Sequence, residues 1–329
     1  MSPLFILAII LSLFFAFWNG FTDAANSIST IVATRVLKPF QAVLMAAVGN
    51  FTGLLFGTAV AQTIGKGIVE GSVIDSTFII AVLVGGLLWD ISTWFLALPI
   101  SESHVLVGGL VGAGLVAGGA NTVHFKSIFD KVALPMVSSP ILAFVVSFLL
   151  IGLITRLLIR VPKEKANRFF KKSQIVSAFF LSVAHGSNDS QKAMGIMTML
   201  LLQYKFIDSF TIPLWVILIS YLAISLGTLF GGWRIVKTMA VKITNLVPYQ
   251  GFCAETAGAL ILLGTAAVGF PVSTTQAISG SIMGVGAMRR KTAVHWGMAR
   301  KIIWAWVLTM PIAALFSGIT YWILRGIIG

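Results

Sequence analysis

The chain has 329 residues, with 23 Lys and Arg against 10 Asp and Glu for a net charge of +13. Only 10% of residues are charged and 57% are hydrophobic, at a mean hydropathy of +0.97, which leaves too little polar surface to wrap a water-soluble globule. That excludes a soluble enzyme, a disordered protein and a nucleic-acid binder. The excess of Lys and Arg reads instead as the basic loops of a multi-pass protein whose solvent is the lipid bilayer. One cysteine, Cys253, excludes an intrachain disulfide and a cysteine metal cluster. The N-terminus lacks the basic region of a signal peptide, so the first apolar run is expected to stay.

About 20 apolar residues cross the hydrocarbon core as a helix. In chain order the candidate spans are 3–30, 40–64, 77–98, 99–120, 132–155, 174–202, 209–233, 249–270, 271–288 and 302–324. Four of these, 40–64, 132–155, 209–233 and 302–324, run without a charge. Polar or charged residues interrupt or flank the others, and some of those read equally as re-entrant pairs. The expected fold is all-α and polytopic, with about ten transmembrane segments.

Loop charge sets the orientation. The connection 156–172 carries Arg156, Arg160, Lys163, Lys165, Arg168, Lys171 and Lys172 against Glu164 alone. Arg289, Arg290, Lys291, Arg300 and Lys301 form a second basic group, Arg234, Lys237 and Lys242 a third, and Arg35 with Lys38 a weaker fourth. The connections 65–76 and 203–208 are balanced by Glu70, Asp75 and Asp208. Basic loops on the cytoplasmic side of a plasma membrane put both termini outside, provided 99–120 and 271–288 each make one crossing. Amphipathic stretches near 163–172 and 234–247 then lie at the inner surface.

Two motifs recur in the same order. Asn19-Gly20-Phe21-Thr22-Asp23-Ala24-Ala25-Asn26 matches His185-Gly186-Ser187-Asn188-Asp189-Ser190-Gln191-Lys192, 166 residues on. Pro99-Ile100-Ser101-Glu102-Ser103-His104 matches Pro271-Val272-Ser273-Thr274-Thr275-Gln276, 172 residues on, and Gly108, Gly112 and Gly114 follow as Gly280, Gly284 and Gly286. The expected organisation is a first repeat over 1–131, a connecting helix and basic cytoplasmic loop over 132–173, a second repeat over 174–300 and a C-terminal transmembrane helix over 301–329. Loop charge makes 3–30 run inward and 174–202 outward, so the repeats are inverted, as in secondary transporters that bind substrate at the midplane. The plainer reading is a duplicated structural membrane protein.

Asp23 and Asp189 lie deep in apolar segments, where a carboxylate faces a cavity, a partner or an ion. Asn19, Gly20 and Asn26 flank the first, Gly186 and Asn188 the second. Such residues tolerate a broken helix with free carbonyls, and carboxylate, amide and carbonyl oxygens together suit a small hard cation. The bland alternative is a structural pairing of either Asp with Lys or Arg. Pro99-x-Ser101-x-Ser103 and Pro271-x-Ser273-Thr274-Thr275 read as helix starts, with Pro in the first turn and Ser or Thr as the cap. Hydroxyls and free amides at a helix N-terminus suit a tetrahedral oxyanion, gripped from both sides if the two ends meet. Ordinary capping is the plain alternative. His104 reads as a proton carrier or a packing residue. Lys192, in the place of Asn26, reads as a neutraliser of Asp189 or a stand-in for a cation. Asp90 and Glu255 also fall inside spans, and the two glycine pairs 108/112 and 280/284 read as helix-packing surfaces.

These residues resemble the inorganic phosphate transporter (PiT) family and the bacterial low-affinity phosphate permeases within it. Asn19 to Ser27 is similar to that family's Asn-Gly-Phe-His-Asp-Ala-Ala-Asn-Ala, Ala184 to Gly195 to its Ala-His-Gly-x-Asn-Asp-x-Gln-Lys-x-Met-Gly, and Pro271 to Gln276 to its Pro-x-Ser-Thr-Thr-His. The likeness extends through Trp296 to the Ala305-Trp306 helix. It implies symport of phosphate with sodium or protons by an inverted-repeat homodimer. Thr22 departs from the motif's His, Gln276 from the His after Ser-Thr-Thr, and Glu102 from a frequent Ser. A carboxylate at position 102 repels an ionised ligand unless it is protonated or paired with a cation, which makes Glu102 a candidate coupling group.

The combined expectation is import of inorganic phosphate, free or as a metal–phosphate complex, by alternating-access symport with H⁺ or Na⁺ and no cofactor. Phosphate is placed among Ser101, Ser103, Asn188, Ser273, Thr274 and Thr275. Coupling is placed at Asn19, Asp23, Asn26, Glu102, His104, Asp189 and Lys192, with Asp23, Asn26 and Asp189 as sodium ligands if sodium is the ion. The alternatives are a sulfate permease of the same fold and a passive anion channel. No His-Glu-x-x-His or Gly-x-Ser-x-Gly motif supports an enzyme.

Overall fold

The computed structural model describes residues 2–289 and 291–328; Arg290 of the second basic group lies outside them. Among the described residues the chain is helical apart from one isolated bridge between Val69 and Val123. Helix α1 (Pro3–Ala33) starts on Ser2, whose hydroxyl accepts the Phe5 amide, and runs unbroken from one end of the molecule, the first end, to the second. α2 (Pro39–Thr52) and α3 (Ala59–Gly67) return to the first end. α4 (Ser76–Phe95) starts from an Asp75 cap, and α5 (Glu102–Gly118) begins at mid-depth and turns back to the first end. α6 (Phe125–Ile128) passes through one π turn into α7 (Leu134–Leu157), which reaches the second end. The 41-residue α8 (Lys163–Gln203) comes all the way back. α9 (Leu214–Phe230) and α10 (Trp233–Val241), bent by 70°, descend again to the second end. α11 (Pro248–Ala267) rises, α12 (Thr274–Arg289) starts at mid-depth and returns to the second end, and α13 (Trp296–Ile328) finishes at the first.

Side-chain contacts tie each end together. At the first end the Ser76 and Tyr204 hydroxyls are 2.8 Å apart and Phe5 packs on Tyr204 and Phe206. At the second, Thr34 donates to Gln174 at 2.8 Å, and Thr244 donates to the Ala293 carbonyl at 2.9 Å. Burial is inverted relative to a soluble protein: Leu55 and Trp322 are 74% and 71% exposed, whereas Asn50, Asp189 and Glu255 are inside. Apolar surface outside and polar groups inside is the pattern lipid selects. The buried apolar residues fall into two cores. One gathers residues toward the first end (Phe15, Ile64, Leu83, Leu110, Leu200), the other toward the second (Ile31, Val43, Met239, Ile278, Ile302), and the polar motifs lie between them.

Among the described residues, five helical stretches are long and apolar enough to cross a membrane: α1, Pro39–Phe56, α4, Phe125–Leu157 and Trp296–Ile327; the bent α9–α10 pair makes a sixth if it is one span. Of the ten segments expected, α5 and α12 are short and α8 and α11 are not among the stretches apolar enough to count, although both cross the molecule. The uncharged runs 40–64 and 209–233 are not single helices. The first breaks at Gly57, whose φ of +88° suits glycine alone, and the second at Gly231, with φ of +62°. At 17 and 16 residues, α5 and α12 start at mid-depth.

The Asp motifs, expected on broken helices with free carbonyls, sit on the unbroken α1 and α8. Their glycines serve a different purpose. A Cβ on Gly20 would stand 2.0 Å from the Ile224 carbonyl oxygen of α9, and one on Gly186 2.2 Å from that of Asn50 on α2. Each glycine therefore lets a neighbouring backbone close in, rather than breaking its own helix. Pro99 and Pro271 precede the caps instead of entering the first turn, and the expected surface stretch 163–172 is the leading part of α8. The glycine pairs do pack helices: Gly108 and Gly112 lie against Met310 and Ala314 of α13, Gly280 and Gly284 against Pro140 and Phe144 of α7.

Candidate functional site

At mid-depth the two motif pairs converge. Asn26 Nδ2, on α1, donates to Thr274 Oγ1 at 3.1 Å and to Thr275 Oγ1 at 2.9 Å at the start of α12. Thr275 donates to Asp23 Oδ1 at 3.1 Å, and Thr274 Oγ1 stands 3.3 Å from one carboxylate oxygen each of Asp23 and Asp189. Two hydroxyls from the second half thus bridge aspartates from both halves. Ser103 Oγ and Asn188 Nδ2 both donate to the Val272 carbonyl, at 3.0 and 2.9 Å, which pins the segment leading into α12 against α5 and α8. Ser101 and Ser273 act as the caps their spacing predicts: Ser101 Oγ accepts the His104 amide at 3.3 Å and Ser273 Oγ the Gln276 amide at 3.1 Å. Their helix starts leave first-turn amides facing the same layer.

Asp189 has closer company than Asp23. Lys192 Nζ is 3.0 Å from its Oδ1 and His185 Nε2 3.4 Å from its Oδ2. The donor role of His185 Nδ1 follows from its neighbours. The Thr228 hydroxyl donates to the Gly20 or Ile224 carbonyl, so it accepts from Asn50 Nδ2 at 2.7 Å; Asn50 Oδ1 is then the acceptor for His185 Nδ1 at 2.9 Å. Nδ1 therefore carries a proton, and Nε2 faces the aspartates. Ligand atoms of Asp23, His185 and Asp189 lie within 4.8 Å of one another.

Glu102 accepts from Thr22 Oγ1 at 3.0 Å, so two of the departures from the family motif touch. Asp90 on α4 faces the same carboxyl. His104 is buried on α5 with neither ring nitrogen bonded to protein. All of these groups are at most 5% exposed. The amide oxygens of Asn19, Asn26 and Asn188 are buried without a donor, as is Glu102 Oε2. Orphaned acceptors around paired carboxylates fit a cation, and hydroxyls with helix-start amides fit an anion. Asn188 spends its amide nitrogen on Val272 and leaves its amide oxygen buried without a donor.

Sequence reasoning passed over His185, Asn50 and Thr228. His185 carried a signal, because it stands where Asn19 stands in the first motif. Asn50 and Thr228 sit in uncharged runs that look like plain spans.

A buried layer of converging carboxylates, hydroxyls and amides between two apolar cores, on helices long enough to cross a bilayer, is the arrangement of a multi-pass membrane protein with a polar site inside it. The model of the phosphate transporter family matches residues 19–317, and the chain belongs to that family. It is 48% identical to a probable low-affinity inorganic phosphate transporter of Rhizobium meliloti over 97% of this chain and 96% of the relative. With the corresponding protein of Bacillus subtilis the identity is 42%, over 97% of each chain. A solved structure titled the sodium-dependent phosphate transporter superposes with a TM-score of 0.91 at 28% identity, over 99% of this chain and all of the other.

Proposed function

We propose that the chain imports inorganic phosphate across the plasma membrane by symport with a cation, H⁺ or Na⁺, through alternating access. The carrying observation is that the Thr274 and Thr275 hydroxyls, the donors best placed for an oxyanion, are bonded to Asp23 and Asp189. Phosphate can take those donors only if something else satisfies the carboxylates, and a cation does so while offsetting the repulsion between phosphate and the acids. Anion and cation therefore bind together or not at all, which is the physical content of coupling. On this reading Ser101, Ser103, Ser273, Thr274 and Thr275 hold phosphate through hydroxyls and helix-start amides. Asp23, Asn26 and Asp189 hold the cation, with His185 Nε2 facing the two aspartates and Glu102 as a coupling group.

An inverted repeat belongs to the same reading, and paired elements support it. α2/α3 and α9/α10 are both spans broken after a glycine, with second pieces of 9 residues each. α4 and α11 are both 20 residues, and they cross the molecule in opposite directions. The basic stretches around Arg35, Lys163–Lys171 and Lys242 gather at the second end, which we therefore assign to the cytoplasm, with both termini outside. A homodimer and a metal–phosphate cargo belong to the same reading.

Labelled phosphate uptake into proteoliposomes under an imposed sodium or pH gradient, with sulfate as competitor, tests it. Uptake driven by one gradient and resistant to sulfate is expected. Uptake of sulfate instead, or flux that needs neither gradient, overturns symport of phosphate.

A further inference from the structure

The site is closed toward both ends, but by different chemistry. Toward the second end α1 presents Asn26, Thr30 and Thr34 one turn apart, and α8 and α11 complete a buried column with Gln174, Ser177 and Glu255. The Glu255 carboxylate accepts from Gln174 Nε2 at 2.9 Å and from the Ser177 hydroxyl, and Thr30 faces the same group. Gln174 Oε1 in turn accepts from Thr34. Among the described residues no cationic side chain stands at ion-pair distance from Glu255. The column opens below Thr34 into a cavity of about 930 Å³ that Arg35, Lys163, Lys171, Tyr249 and Gln250 help to line.

Toward the first end the positions at the same repeat offsets are apolar. Ile196 and Leu200 stand 166 residues on from Thr30 and Thr34; Ala8 and Leu11 stand 166 before Gln174 and Ser177; Leu83 stands 172 before Glu255. Ala8, Leu83, Ile196 and Leu200 are fully buried in the core on that side, and Leu11 packs against it.

We infer that the Thr34–Gln174–Glu255–Ser177–Thr30 column is the closed gate through which the site exchanges with water at the second end, with Glu255 as its latch between α1, α8 and α11. The inference rests on the proposed transport reading. Parting a polar gate frees hydroxyls, an amide and a carboxylate that incoming water satisfies, whereas parting the first-end seal exposes apolar surface. In this conformation the second end is thus the side poised to open. The bare carboxylate keeps the opened passage hydrated and favours the cation, and the basic cavity beyond it receives the anion.

The lone cysteine, Cys253, is buried two residues from Glu255, so a Cys253→Ala chain is the background for accessibility measurements. Thr30→Cys and Ser177→Cys report on the column, Ile196→Cys and Leu200→Cys on the seal. In proteoliposomes, a charged membrane-impermeant methanethiosulfonate added from the second end should modify the column cysteines about tenfold faster or more than the seal cysteines, as expected for local opening. Glu255→Gln should raise the modification rate at Ser177→Cys and lower coupled uptake. Equal rates for the two pairs, or faster modification of the seal, overturn the gate. Phosphate uptake measured on the same vesicles separates the two failures. Background uptake that is intact with an unreactive column sinks the gate alone, and absent uptake sinks the transport reading beneath it.

Discussion

Asp23 and Asp189 occupy matching places in the two motifs and keep different company. Asp23 is met by threonine hydroxyls and by no cationic side chain among the described residues; Asp189 lies within 3.4 Å of both Lys192 and His185. The two motifs align these positions, and their neighbours make them chemically distinct. Lys192 stands where the first motif has Asn26, so the second motif carries a cation of its own beside its acid and the first does not. On the proposed reading both acids hold the coupling ion, Asp23 without a built-in counter-charge and Asp189 beside Lys192.

The sharpest way to break this comparison is to remove the built-in cation. Lys192→Met leaves a carboxylate buried beside only a histidine, and should lower stability by about 3–5 kcal/mol. Thermal unfolding in detergent measures it, and the Asp189→Asn/Lys192→Met double variant should regain most of the loss. Next comes Asp23→Asn, nearly the same shape and still able to accept from Thr275. It should fold normally yet lose coupled phosphate uptake by roughly 10- to 100-fold, the scale of a lost charge-assisted contact. Wild-type uptake by that protein would show that Asp23 is not the coupling partner.

Glu102→Gln tests whether the acid on α5 shares in coupling. The amide still accepts from Thr22, so the fold should hold while the dependence of uptake on the driving ion changes. Full uptake with the same ion dependence would remove Glu102 from the mechanism. The smallest effect is expected for Asn50→Leu, which takes away the acceptor that holds the proton on His185 Nδ1. Stability should fall by about 1 kcal/mol, with a shift in the pH profile of uptake that a purely structural hydrogen bond would not produce.

Much of the site was legible because its signals are local. Ser101 and Ser273 cap helices within three residues of themselves, and the paired glycines 108/112 and 280/284 mark a helix face by spacing alone. The helix breaks were harder. The uncharged runs 40–64 and 209–233 look continuous because hydropathy counts side chains, while the positive φ at Gly57 and Gly231 is a backbone property. Glycines beside Asp23 and Asp189 pointed to breaks there, yet were used for close packing by α9 and α2, which a one-dimensional pattern does not distinguish.

Composition and repetition by themselves determined that this chain lives in a bilayer and that four polar segments, two in each half, carry its chemistry: charges and amides are too costly in lipid to persist without partners. Only the tertiary structure decided who those partners are. Thr275 finds Asp23 across 252 residues, Thr22 finds Glu102 across 80, and Gln174 finds Glu255 across 81. Such pairings depend on which helix faces meet at which depth. Hydrogen-bond geometry over a few ångströms then gives two matching motif positions different company, an ion pair with Lys192 at Asp189 and threonine hydroxyls at Asp23.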